Sequence, residues 1–366
     1  MPKLMNVIGG RGMKGCTVPL AVIAALFAAS PAQSQGMSRG DPVPSAMPLG
    51  NEAGDPTIRM EPGQTLLSAF GERPVFSPDG RKLAFIGKSY GDAFEVDLAT
   101  RAVRNLTAHA PSEGWLRIHY LADGSLLLLG PRFTGKTREE TRNNAIEMFW
   151  MDPAAAGAPV PLGIKVWEGV AVSPRGNRIA WANVTLDPAA KMKAVTTLHT
   201  GRVVVANGTA SVTDIRTVAS PSDCLAEAQD FLSNDTALLM PCYGYADGKA
   251  TTAVLSVDLA SGKLTRYPTP PQLYGEVEGA FPDSRRALVE CADDRRTGMD
   301  ICVLDLDPAK PRYTRMTQIV RYGGWKYGNP VVHPSGRMIA AQVGPAEVVD
   351  AGVGHGIVLM QLAGGF

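Results

Sequence analysis

The side chains best suited to chemistry in this sequence fall at fixed distances before a recurring turn, seen most clearly as Ser77-Pro78-Asp79-Gly80. Counting back six residues from Asp79 and its counterparts gives Arg73, Arg117, Gln229 and Asn329, with Asp230 and Glu278 one residue further on. Such a ring could bind a carboxylate or a peptide terminus through charge-assisted hydrogen bonds, or could simply line a water-filled channel. Counting back eight gives Trp115, Trp167 and Tyr327, and Tyr274 and Trp325 lie close to the equivalent place. These aromatics could form a stacking platform for a sugar or a proline-rich peptide, or could pack as core.

Acid–base catalysis needs two carboxylates, or a carboxylate with His or Tyr, converging at one cleft. Glu168, Glu227, Glu276 and Glu278 are the candidates. The histidines at 109, 119, 199, 333 and 355 have no ligand spacing such as His-x-x-x-His, so neither a metal nor another cofactor is expected. Gly324-Trp325-Lys326-Tyr327-Gly328 has the glycine spacing of a nucleophile elbow, but Lys326 stands where a serine is needed and no strand-to-helix context surrounds it. Asp293-Asp294, beside Arg295-Arg296, reads as a solvated hairpin tip. With 36 basic and 35 acidic residues the chain has no broad field for nucleic acid or an anionic membrane.

The N-terminus carries Lys3, Arg11 and Lys14, then an apolar run from Cys16 to Ala28, then small residues. That order is a secretory signal peptide over residues 1–34, and the run is too short for a membrane span of about 20 apolar residues. Residues 35–56 are rich in Gly, Pro and small polar residues and read as a flexible tether. Leader removal leaves four cysteines for a chain sent to an oxidising compartment. Strand register favours Cys224 with Cys242 and Cys291 with Cys302, the alternative being four buried thiols.

Pro74-Val75-Phe76, the turn, and Leu83-Ala84-Phe85-Ile86 together read as a β-hairpin. Weaker copies recur with turn positions at Asp123, Arg175, Asp235, Asp283 and Ser335, at intervals of 44, 52, 60, 48 and 52 residues. Most copies are followed by a second strand pair, such as Val254 to Leu259 and Gly262 to Tyr267. Four strands at this period is the signature of a propeller blade, which must stack on its neighbours to bury both faces. The expected fold is all-β: a six-bladed β-propeller of four-stranded antiparallel blades. The last blade stops at its third strand, so Thr57-Ile58-Arg59-Met60 or Gln64-Thr65-Leu66-Leu67 must supply its outer edge.

Phe76-Ser77-Pro78-Asp79-Gly80-Arg81-Lys82-Leu83-Ala84-Phe85 resembles the WD40-like repeat of the TolB-like six-bladed propellers, and the likeness extends over residues 57–366. Related repeats occur in the propellers that cap prolyl oligopeptidases and in oligogalacturonate lyases. The resemblance implies the propeller fold, and the leader implies export, to a periplasmic or secreted location. From the residues, the expected function is a non-catalytic binding or scaffold module that engages an envelope protein, peptide or glycan. Its expected binding face carries the aromatics and two long loops, 131–145 and 183–200, with the Ser-Pro-Asp-Gly turns on an inert opposite face. A polysaccharide lyase or glycosidase on the same scaffold, or a detached cap-like propeller, is the alternative.

Overall fold

The computed structural model describes residues 50–363 apart from 111, 156, 188–192, 222–223, 233–234, 247–248, 271–272, 294–296 and 347–354. The expected signal peptide, most of the expected tether and the tip at Asp294-Arg295-Arg296 lie outside the described residues. Strand β1 (Gln64–Ser68) precedes six sheets. Blade 1 is β2 (Glu72–Phe76), β3 (Lys82–Ile86), β4 (Ala93–Asp97) and β5 (Val103–Asn105), and blade 2 is β6 (Arg117–Tyr120), β7 (Leu126–Pro131), β8 (Ile146–Met151) and β9 (Val160–Lys165). Blade 3 is β10 (Val170–Val172), β11 (Arg178–Asp187), β12 (Lys193–Ala206) and β13 (Thr209–Ala219). In blade 4 the first strand is split into β14 (Leu225–Ala226) and β15 (Asp230–Leu232), followed by β16 (Ala237–Ala246), β17 (Lys249–Asp258) and β18 (Leu264–Pro268). Blade 5 is β19 (Leu273–Ala280), β20 (Arg286–Asp293), β21 (Asp300–Asp305) and β22 (Arg312–Arg315). Blade 6 is β23 (Trp325–Val332), β24 (Met338–Pro345) and β25 (Ile357–Gln361), completed by β1 on its outer edge.

Apolar packing closes the ring. Each of six core clusters joins two consecutive blades, and the last joins Phe76, Leu83 and Phe85 of blade 1 to Ala340, Ile357 and Leu359 of blade 6. This is why the middle strands are apolar without alternation. In β7, Leu126 and Leu128 face blade 1 while Leu127 and Leu129 face blade 3, and all four are fully buried. The six-bladed ring and its closure by an N-terminal strand are therefore as the repeat implies, with 64–68 and not 57–60 as the closing strand.

The marker turn is held by its own side chains. Gly80 N donates to the Ser77 carbonyl at 2.8 Å, and the Ser77 hydroxyl donates to Asp79 at 2.7 Å. Gly80 has φ +70°, and a Cβ there would lie 2.3 Å from His333 Nε2. His333 in turn contacts the Gly80 carbonyl at 2.9 Å, linking the turns of blades 6 and 1.

Two segments differ from expectation. Within the expected 183–200 loop, residues 183–187 and 193–200 are strand: β11 and β12 continue pairing out to Asp187 and Lys193, because the β-favouring run Val195-Thr196-Thr197 extends the ladder. The 131–145 segment carries a short helix, α1 (Arg138–Asn144), N-capped by Thr137, which accepts from Glu140 N. The end of the expected tether is also tied down, since Gly50 N and Glu52 N donate to the Val320 and Arg321 carbonyls at 2.9 and 3.0 Å.

Both disulfides are formed: Cys224–Cys242 with Cα atoms 5.4 Å apart and Cys291–Cys302 with 5.8 Å. Such bridges fit maturation in an oxidising compartment. They close segments of 18 and 11 residues, for which chain entropy gives a stabilisation of about 3 kcal/mol each. Reduction with dithiothreitol is therefore expected to lower the thermal midpoint markedly. An unmoved midpoint, with free thiols verified by mass spectrometry, would show that blade packing alone carries this stability.

Candidate functional site

The first strand of each blade lines the central channel, and in most blades its register is broken at the same level. In blades 1, 5 and 6 the register shifts between Glu72 and Val75, Val277 and Gly279, and Gly328 and Val331. In blade 4 the strand is interrupted across 227–229, and in blade 3 it starts only after Glu168. Bulges of this kind re-aim side chains. The backbone is left-handed at Arg73 (φ 53°), Glu168 (φ 62°) and Asn329 (φ 45°), a conformation that costs about 1–3 kcal/mol outside glycine and clusters at functional sites.

The result is a layer of largely buried charge, its cations drawn from blades 1 and 2 and most of its acids from blades 3 to 5. Arg73 and Arg117 come from blades 1 and 2, and Arg142 from α1. Glu168, Glu227, Glu276, Glu278 and Glu290 come from blades 3 to 5. Arg142 pairs with Glu168, and Arg117 Nη2 lies 3.9 Å from Glu227. Gln229 donates to both Glu227 and Glu278 at 3.0 Å. Tyr243 donates to Glu276 at 2.5 Å and lies 3.2 Å from Glu227, while Tyr274 also donates to Glu276. Asn329 N donates to Glu290 at 2.6 Å.

These contacts set the protonation states. Burial, reinforced by Glu168 and Glu276, lifts Glu227 to about 7. Burial and the neighbouring Glu276 lift Glu290 to about 8, and burial with Glu290 and Glu276 beside it raises Glu278 well above the carboxylate range. Burial opposes ionisation of Glu168 too, but Arg142, Arg73 and Arg117 prevail and lower it. Burial, with Arg117 and Arg142 nearby, brings Arg73 down to about 10. His119 is kept neutral, at about 3, by burial and by Arg117 and Arg73.

A cavity of about 390 Å³ runs from this layer towards the marker turns. Its polar end is Arg73, Arg117, Gln229, Glu278 and Asn329, and its wall reaches Ser77, Pro174, Pro282 and Pro334. The marker turns thus form the rim of the channel cavity. Of the acids, Glu278 lines the cavity together with Asp230 and Asp235, whereas Glu227, Glu276 and Glu290 do not.

The ring counted from the sequence is brought together, and the aromatic set is not. Trp115 is 2% exposed and packs edge-on to Phe149 between blades 1 and 2. Tyr327, also 2% exposed, lies between blades 5 and 6 and donates to Gln64 at 2.8 Å, tying β23 to the closing strand. As core, these two present no platform. Trp167, Tyr274 and Trp325 are half-buried, Trp325 against the blade 5–6 core and Tyr274 on Glu276.

Glu290, Tyr243 and the role of Arg142 were not legible in the sequence. Glu290 sits directly opposite Glu276 in the β19–β20 register, and register across a bulge is not readable from spacing. Glu276, Glu278 and Glu290 bring carboxylate oxygens within 4.8 Å of one another, a donor set that would suit a hard divalent cation. No histidine belongs to that group.

No family model matches the chain, and no curated protein matches it. Among solved structures it is similar to a gluconolactonase from Xanthomonas campestris, at 13% identity and TM-score 0.51, covering 89% of this chain and 94% of that one. It is also similar to an oligogalacturonate lyase in complex with manganese, at 12% identity and TM-score 0.49, covering 90% and 99%. TolB from Acinetobacter baumannii is similar at 13% identity and TM-score 0.42, covering 66% of this chain. The chain spans about half, 53%, of the length of that TolB. At such identities the likeness is one of fold.

Proposed function

We propose that this chain is an exported, non-catalytic binding propeller that holds part of an envelope protein, peptide or glycan in its central channel. One observation carries this: the cavity ends on buried guanidiniums whose N–H groups, Arg73 Nε and Nη1 and Arg117 Nε, meet no hydrogen-bond partner among the described residues. Unpartnered buried donors on a charged group cost several kcal/mol in an interior, about 1–3 per group or more, so a site that keeps them is shaped for a ligand. The half-buried Trp167 marks the competing face. Affinity capture from envelope extract is expected to lose its partner with Arg73→Gln and to keep it with Trp167→Ala. The reverse pattern would move the site to the aromatic, long-loop face.

The convergence of Glu227, Glu276, Glu278 and Glu290 favours a second reading, an enzyme acting on a polysaccharide. Protonated and ionised carboxyls held side by side can act as acid and base. Against it, only Glu278 of the four reaches the cavity.

A further inference from the structure

We infer that the channel recognises the C-terminal carboxylate of a peptide with apolar terminal residues, the carboxylate seated on Arg73 and Arg117 and the chain leaving past the marker turns. This rests on the binding reading above and narrows its ligand.

Charge matching selects the anion. Arg142 has Glu168 as its partner and Arg117 faces Glu227, but Arg73 makes no ion pair among the described residues. Its nearest electrostatic neighbours of opposite sign are Glu72 and Glu168, which favour its charged form without bonding to it. Arg73 is 4% exposed and Arg117 8% exposed, and both line the cavity. A guanidinium without an ion pair at the end of the cavity can take a negatively charged group, and the planar fork of arginine fits a carboxylate in bidentate fashion. Glu278, on the same ring, accepts from Gln229 at 3.0 Å.

The wall selects the rest of the ligand. Below the ring the cavity is lined by Val75, Val172, Leu232, Val331 and Val332, all partly exposed to it, with prolines at the rim. These apolar stretches of wall suit apolar side chains, and Ser77, Ser173 and Asp230 on the same wall offer polar partners to a peptide backbone. The volume of about 390 Å³ takes a short segment and not a folded domain. Bulged, left-handed backbone at Arg73 and Asn329 fixes the polar end in advance, which lowers the entropy lost on binding.

The test is calorimetric titration of the whole chain with N-acetylated tetrapeptide pools ending in Val, Leu or Phe, as free acids and as C-terminal amides. The acids are expected to bind, and the amides to bind about tenfold or more weakly, the loss of a charge-assisted pair. Arg73→Gln is expected to abolish the difference, with a cooperative unfolding transition confirming that the variant is folded. The acid-to-amide comparison in the wild type stands even if that variant folds poorly. Equal binding of acid and amide, no binding of either at millimolar concentration, or preference for galacturonate or inorganic phosphate over the acids would overturn the inference. The envelope capture separates the two levels. A partner that survives Arg73→Gln leaves the binding propeller standing and removes the carboxylate site, whereas loss of peptide binding together with absence of any captured partner removes both.

Discussion

Deleting residues 57–70 is expected to abolish recovery of a folded monomer. The closing strand pairs with β25 from Gln64↔Met360 to Ser68↔Ile357, and its removal would bare an edge whose Ile357, Val358 and Met360 are fully buried. An apolar edge of that kind is a template for aggregation. Leu66 packs on the core between blades 5 and 6 and Leu67 on the core between blades 6 and 1, so one short strand contributes to both seams. Tyr327 and the Gln318 amide would also lose Gln64 and Glu61. Leu66→Ala with Leu67→Ala gives a milder version, expected to destabilise by about 2–4 kcal/mol because both side chains are only partly buried. Denaturant unfolding followed by light scattering reads both variants. A deletion that unfolds cooperatively with an unchanged midpoint would mean that the ring is sealed elsewhere.

Glu227→Gln is expected to gain stability over the wild type as pH rises from 5 to 8. The folded-state value of Glu227 is raised, to about 7 from 4.5, so its contribution is fully present below 4.5 and is lost as pH rises through 7. Glutamine mimics the neutral carboxyl and suffers no such loss. At pH 5 the two proteins should differ little. By pH 8 to 9 the variant should lead by up to about 3 kcal/mol, since a tenfold change in proton affinity is worth about 1.4 kcal/mol. Arg117, which favours the ionised form, is already counted in the value of about 7. Chemical denaturation at four pH values, each at matched ionic strength, measures the difference directly. Parallel wild-type and variant profiles would show that Glu227 is ionised in the fold at neutral pH, held by Arg117 and not by its proton.

Both outcomes bear on one design. The ring is apolar between blades, and the charged side chains of the layer come from the inner bulges and the segments beside them. A scaffold of that sort can keep arginine and glutamate side chains close together without collapse onto each other. The site is therefore preorganised, and ligand specificity falls to side chains released where the first strand of a blade leaves its ladder.

The blade is legible from the chain alone. Val75-Phe76, Pro78-Asp79-Gly80 and Leu83 to Ile86 act within thirteen residues, and their spacing down the chain counts the blades. The polar ring is legible too, since a fixed count back from each turn reaches the same height in the channel, as Arg73, Arg117, Gln229 and Asn329 show. The cysteine pairs follow for the same reason, being close across one sheet. Features that lie between blades or across a bulge emerge only on folding. Trp115 and Tyr327 share the spacing of Trp167, yet neighbouring blades cover the first two and leave the third half-open. Glu290 meets Glu276 through register, and Arg142 meets Glu168 through a helix on another blade. Period-two alternation says which face a side chain takes, but not what the next blade sets against it, and that pairing is where the charge layer and the channel arise.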